Sequence, residues 1–297
     1  MGRTDGRGGM GLRLTRRRFI AAAAAAAAAD AFLIERSVVR VTRHDISVAG
    51  LPPGLDGLTI AQVSDTHLPG NRVASSRAVD IIARERPDVV AFTGDIVEYG
   101  ESLSQLTDMV RTARGTLATI GIYGNWERRT GIRESALATA YERAGAELLV
   151  SRTTVVERNG DRLAFVGLDD ALYSAPDLSR ALAGPQESAT IWLVHCPAFA
   201  DRIPEGTPRP SAILAGHTHG GQIRLPGWTP HTPIGSGDYV AGWYRAGGTP
   251  LYVSRGVGTV VVPARFFAPA ELPIFTLRAT TVVPSPDSPR IVPRREG

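Results

Sequence analysis

Apolar residues gather along this chain in short runs that stop at polar tips, and segments of helical spacing fall between them. Residues 38–48 alternate between apolar and polar positions, as an edge strand does, and Leu51-Pro52-Pro53-Gly54 reads as a turn. Residues 58–64 predict a buried strand that delivers Asp65 and His67 at its carboxyl end. The helical spacing over 75–86 offers Val79, Ile81 and Ile82 for packing and stops at Pro87. The theme repeats twice. A strand over 88–95 ends in Asp95 and leads to a helix over 102–111. A strand over 117–123 precedes Gly124-Asn125-Trp126-Glu127, and a helix over 133–144 is closed by Gly145.

Later strands are expected over 148–157, 162–167 and 190–194, the last placing His195 at its tip, and 212–216 leads into His217 and His219. The Gly/Pro-rich stretch 220–248 predicts a long irregular rim, 251–254 and 274–277 close the domain as strands, and from Pro284 onward a disordered tail is expected. Strands with and without crossover helices predict an α/β fold in four layers, two mixed β-sheets sandwiched and flanked by helices, rather than a simple doubly wound sheet. A length of 297 residues suits one large catalytic domain.

Candidate chemistry clusters at the strand tips, where loops vary while strands stay packed. In an extended segment side chains two apart face the same way, so Asp65 and His67 are expected to turn toward one metal, and His217 and His219 share that spacing. Imidazole nitrogen with carboxylate oxygen suits zinc, manganese or iron. Gly94 lets backbone approach Asp95 closely, and the two carboxylate oxygens of Asp95 could each take one ion. A single such histidine could as well cap a strand or fill a core; five fragments in this order point to two divalent or transition metal ions.

Those fragments, Ser64-Asp65-Thr66-His67, Thr93-Gly94-Asp95, Gly124-Asn125, His195-Cys196-Pro197 and Gly216-His217-Thr218-His219-Gly220-Gly221-Gln222, resemble the calcineurin-like metallophosphoesterase superfamily, most closely its exported bacterial phosphodiesterase-like branch. The resemblance spans about residues 55–277. It implies that Asp65, His67 and His219 hold a first metal, that Asn125, His195 and His217 hold a second, and that Asp95 bridges them. It also implies phosphodiester hydrolysis by hydroxide shared between the two ions, on a cell-envelope or lipid-related substrate. Asp95 and Asn125 would belong to the catalytic group together with position 126.

Position 126 departs from the family pattern. The residue after the asparagine is there a histidine assigned to protonating the leaving oxygen, and here it is Trp126, whose indole cannot deliver a proton. Two readings follow: hydrolysis persists with water, His231 or another polar group assisting, or the chain is a metal-dependent phosphate-ligand binding protein with weak or no catalysis. Glu127 is expected to hold the loop rather than act as the acid. Trp228, His231, Tyr239, Trp243 and Tyr244 either line a groove for a lipid or sugar phosphate or pack the Gly-rich loop. Residues 254–259 are expected to bring backbone donors or Arg255 near phosphate, although they lack the pattern of a nucleotide P-loop.

Charge and termini complete the reading. The excess of 33 Lys+Arg over 29 Asp+Glu lies largely in the first 18 residues and in Arg290, Arg294 and Arg295, so no basic stripe marks a nucleic-acid partner. Cys196 is the only cysteine and is expected to be buried and inert. Thr15-Arg16-Arg17-Arg18-Phe19-Ile20, followed by nine alanines from Ala21 to Ala29, resembles a twin-arginine export signal. The same residues also read as a basic tail leading into an Ala-rich helix. The signal reading implies a translocase partner, an extracytoplasmic location, and a leader that could persist as an N-terminal anchor with peripheral membrane association. The expected organisation is a leader over 1–36, a catalytic domain over 37–282 and a flexible tail over 283–297.

Overall fold

The computed structural model describes residues 15–185 and 187–280, so the expected tail lies outside the described residues. The helices are α1 (Arg16–Ala29), α2 (Arg72–Glu85), α3 (Leu103–Thr112), α4 (Asn125–Arg129), α5 (Glu134–Arg143) and α6 (Leu178–Leu182). The strands are β1 (Arg40–Ala49), β2 (Thr59–Val63), β3 (Val89–Phe92), β4 (Ala118–Ile122), β5 (Glu147–Leu149), β6 (Arg152–Arg158), β7 (Asp161–Gly167), β8 (Ala189–Leu193), β9 (Ala212–Ala215), β10 (Gly242–Ala246), β11 (Thr249–Val253) and β12 (Glu271–Thr280). They form two six-stranded mixed sheets, in the orders β1-β12-β2-β3-β4-β5 and β10-β11-β9-β8-β7-β6.

The apolar runs explain the layering. Strands β2 and β3 are apolar on both faces because both faces are covered. One face of the first sheet meets Ala78, Ile82, Leu106, Val110, Leu137 and Tyr141 from α2, α3 and α5. Its other face, with Ile60, Val89, Ala91 and Ile120, packs on Leu163, Phe165, Ile191 and Leu214 of the second sheet. The far face of the second sheet is closed by α6 and a short 3-10 segment, Pro197–Arg202, through Ala181, Phe199 and Ala200. The four-layer sandwich expected from the pattern is therefore what forms. β1 lies on the expected edge, paired in parallel with β12.

Three local expectations need correction. The single strand expected over 148–157 is two strands, because Ser151 turns left-handed (φ 47°) and carries the chain from the edge of one sheet to the edge of the other. The stretch 220–248 is not wholly irregular: β10 pairs antiparallel with β11 across the tight Gly247-Gly248 connection. β12 begins before Pro273 rather than after it. The missing N–H is tolerated there because β2 pairs with β12 only from Ile274 onward.

At the N-terminus α1 buries no residue, while the π-helical turn Asp30–Glu35 that follows rests on the body through Ala31. Among the described residues no helix is long and apolar enough to cross a membrane.

Candidate metal centre

Five carboxyl-terminal strand ends meet at one edge of the sandwich. Those of β2, β3 and β4 bring Asp65, His67, Asp95 and Asn125, and those of β8 and β9 bring His195, His217 and His219; all seven are buried. Beyond the strands, the β2 and β3 loops are laced together. The N–H groups of Asp65 and His67 donate to Gly94 O and Asp95 O, both at 3.0 Å.

The way these side chains converge differs from the expected strand alternation. Asp65, His67, Asp95, His217 and His219 all have positive φ, between 49° and 75°. Left-handed backbone is costly for residues with a Cβ and persists where the surroundings over-determine it. Asp65 and His67 thus reach one point through a coiled loop, not through extended pairing. Gly94 fulfils its expected role: at φ 86°, a Cβ there would lie 2.6 Å from the backbone of Gly124 and 2.7 Å from His195 Nδ1.

Asp95 sits in the middle. Its Oδ2 is 3.2 Å from His195 Nε2 and 3.7 Å from His67 Nε2, and its Oδ1 accepts the N–H of Trp126 at 2.8 Å. On one side His67 Nε2 and His219 Nε2 are 3.0 Å apart, with His219 Nε2 3.6 Å from Asp65 Oδ1. On the other, Asn125 Oδ1 lies 2.8 Å from His217 Nδ1 and 3.0 Å from His195 Nε2. Ligand atoms of Asp65, His67 and His219 fall within 4.8 Å of one another, as do those of Asp65, Asp95 and His195. These are two plausible metal-binding clusters.

The electrostatics suit cations. Burial alone pushes the Asp95 carboxyl up, but His195, His67 and the Trp126 N–H overcome it and hold the group down at about 2. Burial, then the charge of His195, pulls His217 down to about 4, and burial with His67 and Arg265 keeps His219 well below its ordinary range. Burial also lowers His195, yet Asp95 and Asp65 outweigh it and raise the imidazole to about 10. Nitrogen lone pairs and carboxylates packed this tightly, with two imidazole Nε2 atoms facing each other, form a donor set that manganese, zinc or iron fits.

Several residues hold this constellation without belonging to it. Glu127 behaves as the loop-holder expected. It accepts the N–H groups of Gly124 and Asp95 at 3.0 Å, Ile96 at 2.6 Å and Val97 at 3.1 Å, while burial and then Asp95 push its carboxyl up to about 7. Two others went unnoticed in the sequence. Glu98 Oε1 stands 3.3 Å from His67 Nδ1. The fully buried Arg265 donates to the carbonyls of Gly258, His219, Ala268, Arg255 and Gly256 at 2.6–3.2 Å. An arginine among Phe, Ala and Pro gives no periodic signal that it is buried. Cys196 is buried and its thiol is pushed up by burial and Asp170, as expected of an inert group.

The centre floors a cavity of about 620 Å³, walled by Leu172, Ile234 and Val260 and shared by Trp126, Arg129 and His231. The Trp126 ring stands edge-on to His67, with centroids 5.7 Å apart, and the Arg129 guanidinium lies 4.9 Å over it. Of the rim aromatics, only His231 lines this cavity. Trp228 is exposed, Tyr239 donates to Asp201, and Trp243 packs on Tyr252 and Phe275. Tyr244 accepts the N–H groups of Val240 and Ala241. Residues 254–259 do not offer their donors to the cavity: Val257 N and Gly258 N are bound to Ser64 O and Asp65 O, and Arg255 reaches Glu271.

The fold and this cluster of donors together define a metallophosphoesterase architecture. The sequence model of the calcineurin-like phosphoesterases matches residues 58–221, and the chain belongs to that family. An uncharacterized metallophosphoesterase of Bacillus subtilis is 32% identical over 257 residues, covering 83% of this chain and 88% of that protein. A transmembrane protein with metallophosphoesterase domain from Bos taurus is 28% identical over 262 residues; the match covers 80% of this chain and 57% of the bovine one. The phosphodiesterase YaeI of Escherichia coli is 28% identical over 189 residues, covering 62% of this chain and 68% of its own length.

Proposed function

We propose that this protein is a binuclear metal-dependent phosphodiesterase, with Asp65, His67 and His219 holding one ion, Asn125, His195 and His217 the other, and Asp95 between them. The observation that carries this reading is the position of the Asp95 carboxylate, within 3.2 Å of His195 Nε2 and 3.7 Å of His67 Nε2 at the junction of both groups. When bound, two such ions acidify a water and neutralise charge on the phosphoryl oxygens.

The chain's own residues supply the remainder. The cavity wall of Leu172, Ile234 and Val260 gives the second ester substituent an apolar seat, which favours a diester. Arg129, stacked over Trp126 on the same wall, offers a guanidinium to a phosphate oxygen. Trp126 can orient substrate but cannot protonate the leaving oxygen, so His231, on the same cavity wall, is the residue we assign to assist that step.

We further read the substrate as a lipid or other cell-envelope phosphoester. Arg16 and Arg17 with the following Ala-rich helix serve in this reading as a twin-arginine signal engaging its translocase. The resulting location is extracytoplasmic. Residues 37–282 act as the catalytic unit and 1–36 as leader and anchor. Retention of that leader is supported by its anchoring: Ala31 is buried, and Ala31 O accepts the N–H of Arg265 at 3.0 Å.

The test is metal content of the full chain together with hydrolysis of bis(4-nitrophenyl) phosphate and 4-nitrophenyl phosphate, with D95A as control. Two metals per chain and D95A-sensitive diester cleavage are expected. Trp126, which leaves position 126 without a titrating group, favours one alternative, a metal-dependent phosphate-ligand binding protein. Bound metal with no cleavage of either ester would select it.

A further inference from the structure

Two side chains, one bordering the cavity and one bordering the neighbouring hollow, are held where side chains rarely go. Val261 has φ 61° and is 90% exposed, and Phe267 has φ 51° and is 52% exposed. A β-branched residue in the left-handed region is a steric outlier that glycine would relieve, and at Val261 the fold recovers no burial in exchange.

Both residues belong to one projection. The Gln222 side chain donates to Val260 O and Val262 O at 3.0 and 2.9 Å and accepts from Val260 N at 2.9 Å. Ile223 bridges to Phe266, and Arg224 N donates to Phe266 O at 2.8 Å. Residues 222–225 and 260–267 are thereby stitched into a ridge whose exposed apolar side chains include Ile223, Leu225 and Val262. Scattered apolar residues on a surface are ordinary; a stitched ridge with two strained tips is not.

The surroundings of the ridge are chemically sorted. On one side lies the cavity above the candidate metal ligands. On the other is a hollow of about 360 Å³ where Arg40, Arg224 and Arg255 meet the single carboxylate of Glu35, with Arg255 also 3.4 Å from Glu271. Phe267 forms part of its wall. The N-terminal segment is fastened to the same ridge, since Arg36 donates to Pro263 O at 3.1 Å and Arg265 N to Ala31 O, and it carries exposed Phe19, Ile20, Phe32 and Leu33. Apolar tips beside guanidinium groups match the layering of a bilayer surface, acyl chains beneath phosphates.

We propose that this ridge docks on an anionic lipid bilayer, with Ile223, Val261, Val262 and Phe267 entering the acyl boundary and the Arg40, Arg224 and Arg255 hollow receiving a lipid phosphate. The mouth of the cavity then opens at the membrane surface, where a lipid phosphoester is presented. What is hydrolysed there rests on the phosphoesterase reading above; the docking itself requires no turnover.

The experiment is co-sedimentation of the full chain with vesicles of phosphatidylcholine alone and of phosphatidylcholine mixed with phosphatidylglycerol. Preferential binding to the mixed vesicles is expected. The double variant Val261→Gly/Phe267→Gly removes the apolar tips while relaxing their backbone. Its melting temperature is expected to hold or rise while its partitioning falls about tenfold or more. Arg40→Glu/Arg224→Glu is expected to abolish the preference for anionic vesicles. Parent-like partitioning of the glycine pair, as would follow if the N-terminal helix alone bound lipid, overturns the proposal, and so does equal binding to neutral and anionic vesicles. Hydrolysis of bis(4-nitrophenyl) phosphate by the same protein without vesicles reads the enzymatic reading separately. Vesicle binding without hydrolysis would sink that reading and leave the docking surface standing.

Discussion

The backbone N–H of Trp126 donates to Asp95 Oδ1 at 2.8 Å, so the residue that removes the expected acid also orients the carboxylate between the two donor clusters. Backbone supplies this bond, and any residue but proline at 126 retains it. Trp126→His is therefore expected to keep metal content unchanged. It should raise kcat about 10²-fold or more for diesters with poor leaving groups and little for nitrophenyl esters, since only the former need a proton delivered. Parallel kcat measurements on phenyl and nitrophenyl diesters check this; equal effects on both would sink the assignment of proton transfer to this position.

Asp95→Asn keeps an acceptor for the Trp126 N–H but removes the charge facing His67 and His195. Metal stoichiometry is expected to drop below two per chain, with hydrolysis lost, while the far-ultraviolet dichroism is unchanged. Elemental analysis of the purified variant is the measurement.

Chelation should soften the whole sandwich. With donors from both sheets, a bound ion stabilises the folded state by mass action, about 2.7 kcal/mol when free metal is a hundredfold above Kd. Calorimetry should show the melting temperature falling with chelator and recovering when manganese or zinc is restored. An unchanged transition would contradict tight binding at this cluster.

Glu127→Gln should unfold the protein more easily. Both carboxylate oxygens are engaged by two N–H groups each, and an amide nitrogen would confront one of those pairs with donors. A loss of about 2–5 kcal/mol in urea denaturation is expected.

Arg265→Met tests the other brace. The carbonyls of five residues lose a donor, and the loop of His219 is among them. Denaturation is expected to show a loss of about 2–4 kcal/mol. Metal titration should show weaker binding, with Arg265→Lys intermediate because it offers fewer, less rigidly placed donors.

Apolar periodicity made β2, β3, β4, β8 and β9 legible, because buried strands ending in a polar tip need no knowledge of their partners. The seven residues of the proposed centre were legible for the same reason: each sits two to four residues past a strand. What periodicity missed was decided by single dihedrals or distant contacts. Ser151 breaks an apolar run through its φ, with nothing in the hydropathy to mark it. The convergence of Asp65 and His67 was foreseen with the wrong cause, since strand alternation was expected and left-handed loops are found. Arg265 and Glu98 acquire their places only through tertiary packing, as does the separation of Trp243, which packs half-buried against the core between the sheets, from His231, which lines the cavity.

Because Asp65, His67, Asp95 and Asn125 follow strands of one sheet while His195, His217 and His219 follow strands of the other, the centre is a gauge of how the two halves are seated. A chain divided at the Val150-Ser151 crossing would leave four donors on one fragment and three on the other. Metal retention would then report reassembly of the halves, as a lock reports that its two plates are aligned.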